Sequence, residues 1–360
     1  MAYQMAPKAK QLSPYDPIEG NYRVRLDANE SFLLPTEEDR EKLARAAAET
    51  ALNRYPDPLA RDLCAAFARR YRIEPDLVTA GNGSDELISI ILSVFLQKGE
   101  KVLTLSPDFS MYRFYTAISE TPCTVMEKGD DFQIDVDAVL ETMRKEKIRL
   151  LVFSNPCNPT SVGLKAPQVR RLVQGTDALV VLDEAYMDFW DQSLLPEAAE
   201  YDNLIVLRTC SKAIGLAGLR IGFAVANPRL TAVIRAAKSP YNVNAVSQEM
   251  ARLLLENDHY AAIYPQLLVA SRNMLVTGLK KLESEGALQK VYDSCTNFAY
   301  VQLEGARWIF ERLADNGIIV RCFGDRFLRI TAGTQAENSE LLSSLRFLLQ
   351  YRREHPDQGN

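Results

Sequence analysis

Between residues 70 and 240, short apolar runs alternate with stretches that read as helices, and this alternation limits the possible folds more than any single motif. The runs are Leu77–Ala80, Lys101–Ser106, Arg149–Ser154 (RLLVFS), Ala178–Leu182, Leu204–Thr209 (LIVLRT) and Arg220–Ala226. Continuous apolar runs of this length suit strands covered on both faces. Leu87–Leu96, Asp135–Lys147, Pro167–Gln174 and Leu230–Ala237 fall after them and carry helical patterns. Strand–helix–strand repetition makes βαβ units, and so an α/β fold with a mostly parallel sheet. Beyond Leu230–Ala237 two helices are expected, Val243–Glu256 and the long Tyr260–Glu283. A mixed segment then follows, with strands at Asn297–Leu303, Ile318–Cys322 and Phe327–Thr331.

Several function classes are excluded by counting. The 42 basic and 47 acidic residues are intermixed, with a net charge of −5, which is no nucleic-acid-binding stripe. Two histidines, His259 and His355, are too few for a His-based triad or a multi-histidine metal site. No two of Cys64, Cys123, Cys157, Cys210, Cys295 and Cys322 form a CxxC pair, so free thiols in a reducing cytoplasm are expected. The most apolar run, LISIILSVFL, is ten residues long and too short to span a bilayer. MAYQMAPKAKQ lacks the apolar core of a secretory signal. Residues 1–25 read as an arm, with Pro14 and Pro17 breaking any helix.

In the α/β frame, the polar residues at the strand ends matter most, because ligands bind at the carboxyl edge of such sheets. Thr209–Phe223 reads TCSKAIGLAGLRIGF. A lysine can form a Schiff base with an aldehyde cofactor, and Ser211 and Arg220 beside Lys212 suit a phosphate. Taken alone, Lys212 reads more readily as an ordinary surface lysine in a glycine-rich loop, and the case for it comes from the rest of the chain. GNGSDE (Gly81–Glu86) is either an anion site at a helix start or a well-capped helix with Ser84 as N-cap. Phe109 is either core or a face for stacking on a planar ring. Asn158, in NPCNPTSVG, is a hydrogen-bond donor held by Pro159. Asp183, in DEAYMDF with Tyr186, needs a partner for its charge, either a structural arginine or a protonated ring nitrogen. Tyr55 lies on the stiff loop NRYPDP, Asn29 reads locally as a turn residue, and a strand arginine such as Arg329 or Arg321 is usually exposed.

Taken in order, LDANES, RYPDP, GNGSDE, PDFSMY, NPT, DEAYMDF, SKAIGLAGLRIGF and FLRITAG resemble the fold-type I, pyridoxal 5′-phosphate (PLP)-dependent aminotransferases. The likeness runs from about Pro14 to the C-terminus and is greatest to the histidinol-phosphate aminotransferases. It implies a large domain with a mostly parallel mixed sheet between helices, plus a smaller α+β domain. On this reading residues 1–50 are the arm and part of the small domain, 51–258 the large PLP-binding domain, and 259–360 the C-terminal small domain.

The resemblance also implies roles. Lys212 would be the Schiff-base lysine and proton shuttle, and Asp183 the partner of the pyridine nitrogen. Tyr186 and Asn158 would bond the ring 3′-oxygen, and Phe109 would stack on the ring. Ser84, Asp85, Ser211 and Arg220 would hold the phosphate, with Tyr55 reaching it from the partner subunit of a homodimer. Arg329 would bind a substrate carboxylate, with Asn29 nearby, and Arg321 a substrate phosphate, with Tyr22 as a helper. No metal, membrane or nucleic acid is expected. The implied reaction passes an amino group from L-histidinol phosphate to 2-oxoglutarate, in histidine biosynthesis. The competing readings are an L-threonine-O-3-phosphate decarboxylase, an aromatic amino-acid aminotransferase, and a PLP-binding regulator without activity. The chain departs from the family pattern at Ser161, where glycine usually follows NPT, and at Phe109, where tyrosine is commoner.

Overall fold

The computed structural model describes residues 3–10, 12 and 18–355; Pro14 and Pro17 of the arm lie outside the described residues. The short strand β1 (Val24–Arg25) is followed by seven strands that build the main sheet. These are β2 (Val78–Gly81), β3 (Lys101–Ser106), β4 (Cys123–Glu127), β5 (Ile148–Ser154), β6 (Leu179–Asp183), β7 (Leu204–Thr209) and β8 (Gly222–Ala226). They lie in the order β2-β8-β7-β6-β5-β3-β4. All neighbouring pairs from β7 to β4 are parallel. Only β8 runs against its neighbours, β2 and β7, because the loop after Thr209 turns the chain straight back beside β7.

The sequence pattern explains most of this. Every residue of β7 and β8 is buried, and only Arg149 of β5 is exposed, as continuous apolar runs require. β4 was not anticipated. It is an edge strand with no buried residue, so CTVME carries no apolar run to reveal it. Helices cover both faces of the sheet. One core contains Phe67, Phe153 and Phe223, and the Phe67 and Phe223 rings stack at 4.0 Å. The other contains Leu87, Ile91, Tyr112 and Val152. Each fully buried side chain of this size contributes roughly 2 kcal/mol.

The smaller sheet is antiparallel, in the order β12-β13-β10-β9, from β9 (Lys290–Val291), β10 (Phe298–Gln302), β12 (Arg321–Phe323) and β13 (Phe327–Thr331). The expected single strand Ile318–Cys322 is divided: β11 (Ile318–Ile319) leaves this sheet and pairs in parallel with β1. Val24 and Leu26 therefore enter the core of the C-terminal part with Leu275, Val301 and Leu345, whereas Leu43 packs with the main sheet. The 27-residue helix Asp258–Ser284 links the two parts. Among the described residues no helix is long and apolar enough to cross a membrane.

Candidate active site

The loops after β2, β3, β5, β6 and β7, and the start of β8, meet at one edge of the main sheet. Register shows the alignment: Gly222 opposes both Gly81 and Thr209, and Ser154 opposes Asp183. Six candidate segments distant in sequence thus converge at the carboxyl edge of the parallel strands.

Asp183 ends β6 and is buried, with no basic side chain among the described residues bonded to it. Its Oδ2 accepts from the Tyr112 hydroxyl at 2.7 Å and its Oδ1 from the Ala185 amide at 3.0 Å. Burial pushes its carboxyl up to about 7, against the lowering effect of these two donors. Tyr112 is itself fully buried, and burial with the adjacent Asp183 raises its hydroxyl well above the ordinary tyrosine value. Sequence reasoning missed Tyr112. The available signal was its place three residues after Phe109, which brings the two rings edge to face at 5.6 Å.

A polar chain supports the Asn158 loop. The Asn158 amide donates to Ser154 Oγ at 3.2 Å, and Ser154 Oγ donates to Asp108 Oδ1. Asp108 in turn pairs with the buried ammonium of Lys128 at 3.3 Å. None of Ser154, Asp108 and Lys128 stood out in the sequence, since each acts only through its neighbours.

The helix after β2 is Ser84–Val94, one turn longer at its start than the apolar run indicated. Ser84 is its first residue and not the N-cap; Gly83 holds the cap position at φ 83 and no side chain caps the helix. The first-turn amides and the helix dipole are thereby left to an external anion. The backbone fits tightly here, since a Cβ on Gly222 would lie 2.3 Å from the Ser84 amide nitrogen. The Arg220 guanidinium lies over Gly83, and its Nη2 is 3.6 Å from Asp85 Oδ2. Asp85 Oδ1 is buried with no hydrogen-bond partner among the described residues, and burial raises the Asp85 carboxyl while Arg220 and Lys212 oppose the rise. Ser211 is buried beside this cradle, its amide donating to Thr209 Oγ1 at 3.1 Å.

Lys212 donates from Nζ to the Ala28 carbonyl at 3.1 Å, and Nζ lies 5.8 Å from the centre of the Tyr186 ring. The Tyr186 hydroxyl accepts from Asn29 Nδ2 at 2.8 Å. Asn29 is buried at φ 56 and is no simple surface turn: Thr331 and Asn297 also bond it. Arg329 is likewise buried, contrary to the usual position of a strand arginine. Its guanidinium donates to Asn158 Oδ1 and to the Asp27 carbonyl, and lies 5.5 Å from the Phe298 ring centre. Arg321 on β12 is the direct cross-strand partner of Arg329, so the two side chains share a face of the small sheet. Tyr22 is half-buried, and its ring carries the Arg25 guanidinium at 5.7 Å. Tyr55 stands apart from this group within the chain, exposed and stacked on Tyr241 at 4.5 Å.

The residues present fit a planar cofactor with a protonated ring nitrogen, an aldehyde and a phosphate. Asp183 is a buried carboxyl that a cation beside it would ionise, the first-turn amides at Ser84 carry no side-chain cap, and Lys212 Nζ reaches the Ala28 carbonyl of the arm. Fold and site together define a PLP-dependent aminotransferase architecture of fold type I. The chain belongs to the family "Aminotransferase class I and II", whose profile matches residues 23–345. It is 39% identical over 341 residues to a histidinol-phosphate aminotransferase of Clostridium novyi (strain NT), covering 94% of this chain and 95% of that one. Its counterpart in Chlorobaculum tepidum is 35% identical over 351 residues, covering 95% and 99%. Among solved structures, histidinol-phosphate aminotransferase from Sinorhizobium meliloti, in complex with pyridoxal-5′-phosphate, superposes with a TM-score of 0.86 at 25% identity, covering 98% of this chain and 99% of that one.

Proposed function

We propose that this enzyme transfers the amino group of L-histidinol phosphate to 2-oxoglutarate, with PLP as cofactor, as a homodimer in the cytoplasm. The relatives that it matches over more than nine-tenths of its length, histidinol-phosphate aminotransferases, support this reading. The observation that carries it is the pairing of Arg321 with Arg329 across β12 and β13. The donor has one phosphate and no carboxylate, and the acceptor has two carboxylates. Two guanidiniums on one face suit both, because each can grip either oxyanion bidentately. In this reading Arg321 takes the phosphate and Arg329 a carboxylate, with Asn29 and Tyr22 lining the approach.

Bound PLP supplies an electron sink for the bond broken at the substrate α-carbon. Asp183 would hold the proton on the ring nitrogen of that group. Tyr112 orients Asp183 from behind. Phe109 would stack on the ring, while Asn158 and Tyr186 would donate to the ring oxygen. The amides at Ser84 and Asp85, with Ser211 and Arg220, hold the phosphate. Tyr55, exposed here, reaches that phosphate in the partner subunit, which makes the dimer the active unit. Lys212 Nζ moves the proton from the substrate α-carbon.

Arg321→Ala tests the donor assignment. The expected result is a loss of kcat/KM of about 100-fold or more for L-histidinol phosphate, with about tenfold or less for an unphosphorylated aromatic donor. Equal losses for both donors would remove the phosphate role of Arg321. The six cysteines, free in this structure, suit the reducing compartment assigned here.

A further inference from the structure

Ser161 is fully buried and has φ 65, in the left-handed region that strains a residue with a side chain. The turn around it is closed by Ser161 N to the Cys157 carbonyl at 2.8 Å and Cys157 N to the Val162 carbonyl at 2.9 Å. The hydroxyl points out of this turn to a segment more than 130 residues away. Ser161 Oγ donates to Ser294 Oγ at 2.9 Å, lies 2.7 Å from Thr296 Oγ1 and accepts from the Cys295 amide at 3.2 Å. That segment is clamped from its other side by Arg272, which donates to the Ser294 and Thr296 carbonyls at 2.7 and 2.9 Å. It leads straight into Asn297, which bonds Asn29, and Phe298, which packs edge to face on Tyr186 at 5.3 Å.

We propose that Ser161 is a positioning residue: its hydroxyl latches the Asn158 loop of the main sheet to the 294–298 segment of the C-terminal part, fixing the gap in which both reactants are held. The inference rests on the reading that Asn158 and Arg329 line that gap. A bond from Arg329 to Asn158 already joins the two parts. The Lys290–Asp131 ion pair and a bond from the Cys295 amide to the Ser161 carbonyl at 3.2 Å cross between them too. The Ser161 hydroxyl adds the side-chain contacts that hold this loop against residues 294–296. The latch is made of three hydroxyls and an amide. Ser294 Oγ and Thr296 Oγ1 also donate to the Phe298 carbonyl, and the Cys295 amide also donates to the Ser161 carbonyl. Loss of the Ser161 hydroxyl therefore removes the side-chain bonds across the gap and leaves these in place.

Two variants test this. Ser161→Gly keeps the backbone conformation, which glycine adopts freely, and removes the hydroxyl. Thr296→Val keeps the shape on the opposite side and removes its hydroxyl. In the cofactor-free protein, amide hydrogen exchange at 157–162 and 294–298 is expected to rise in both variants. In the PLP-loaded enzyme, KM for donor and for acceptor is expected to rise about fivefold or more, with a smaller change in kcat, as loss of one net hydrogen bond implies. The double variant is expected to lose less than the sum of the two single losses, since the Ser161–Thr296 bond is common to both while each variant also removes bonds of its own. Unchanged exchange at both segments with unchanged KM, or losses that simply add, would overturn the latch. 2-Oxoglutarate binding followed by cofactor absorbance gives the same comparison without turnover, so failure of the wild type to use L-histidinol phosphate would be recognised separately.

Discussion

Asp183 has its charge set by what surrounds it. In the cofactor-free folded protein its carboxyl keeps a proton up to about pH 7, whereas an unfolded aspartate loses it near pH 4. Between those values the folded chain binds more protons, so Asp183 favours folding most at the acid end, and that contribution is lost as pH rises to 7. Asp183→Asn removes this slope. Urea unfolding of cofactor-free protein at pH 5 and pH 7.5 should show the wild type losing about 2 kcal/mol more than the variant across the interval. In the loaded enzyme the same change should lower kcat by roughly two orders of magnitude or more, since an amide cannot hold the ring proton electrostatically. Lys212→Ala should abolish the covalent adduct trapped by borohydride reduction, as read by intact mass; an unchanged adduct would contradict its role. Asp183 stood out in the sequence because a carboxylate at a strand end is costly to bury without a partner, and Lys212 stood out only in the company of the other motifs. Tyr112 was not, since a buried tyrosine in a helix looks like core until its hydroxyl is seen to meet Asp183.

Among the elements, the helix Ser84–Val94 carries the anion site through its backbone. Gly222→Ala places a methyl group against the Ser84 amide, where no flexible side chain can give way. PLP affinity, measured by titration of cofactor-free protein, should fall about tenfold or more, since helix-end amides and cationic groups contribute about a kcal/mol or more each. β3, β5, β6 and β7 were readable from their apolar runs. β4 and the division between β11 and β12 were not, because edge exposure and a change of sheet leave no period-two or continuous signature. Ser84 as N-cap was a reasonable expectation from residue type alone. The structure shifts the cap to Gly83 because the chain passes close under β8 there, where a larger residue would meet Arg220.

At the scale of the whole molecule, the arm runs from the core of the C-terminal part, which Val24 and Leu26 enter, to the edge of the main sheet. The arm belongs to the site because Val24 and Leu26 pack into the C-terminal core and Asn29 bonds Tyr186. No local sequence rule reveals that, since the arm's pairing partner lies about 290 residues away. Tyr55, with 81% of its surface exposed, fits the proposed subunit contact. Light scattering should give twice the chain mass, and Tyr55→Phe should weaken PLP binding by about tenfold while leaving that mass unchanged.

The donor is the central claim, and product analysis tests it most directly. Purified PLP-loaded enzyme is given L-histidinol phosphate with 2-oxoglutarate, and separately threonine phosphate. The account predicts one glutamate formed for each L-histidinol phosphate consumed, with no CO₂ released from threonine phosphate. Release of CO₂ from threonine phosphate, with no glutamate formed from L-histidinol phosphate, would contradict it.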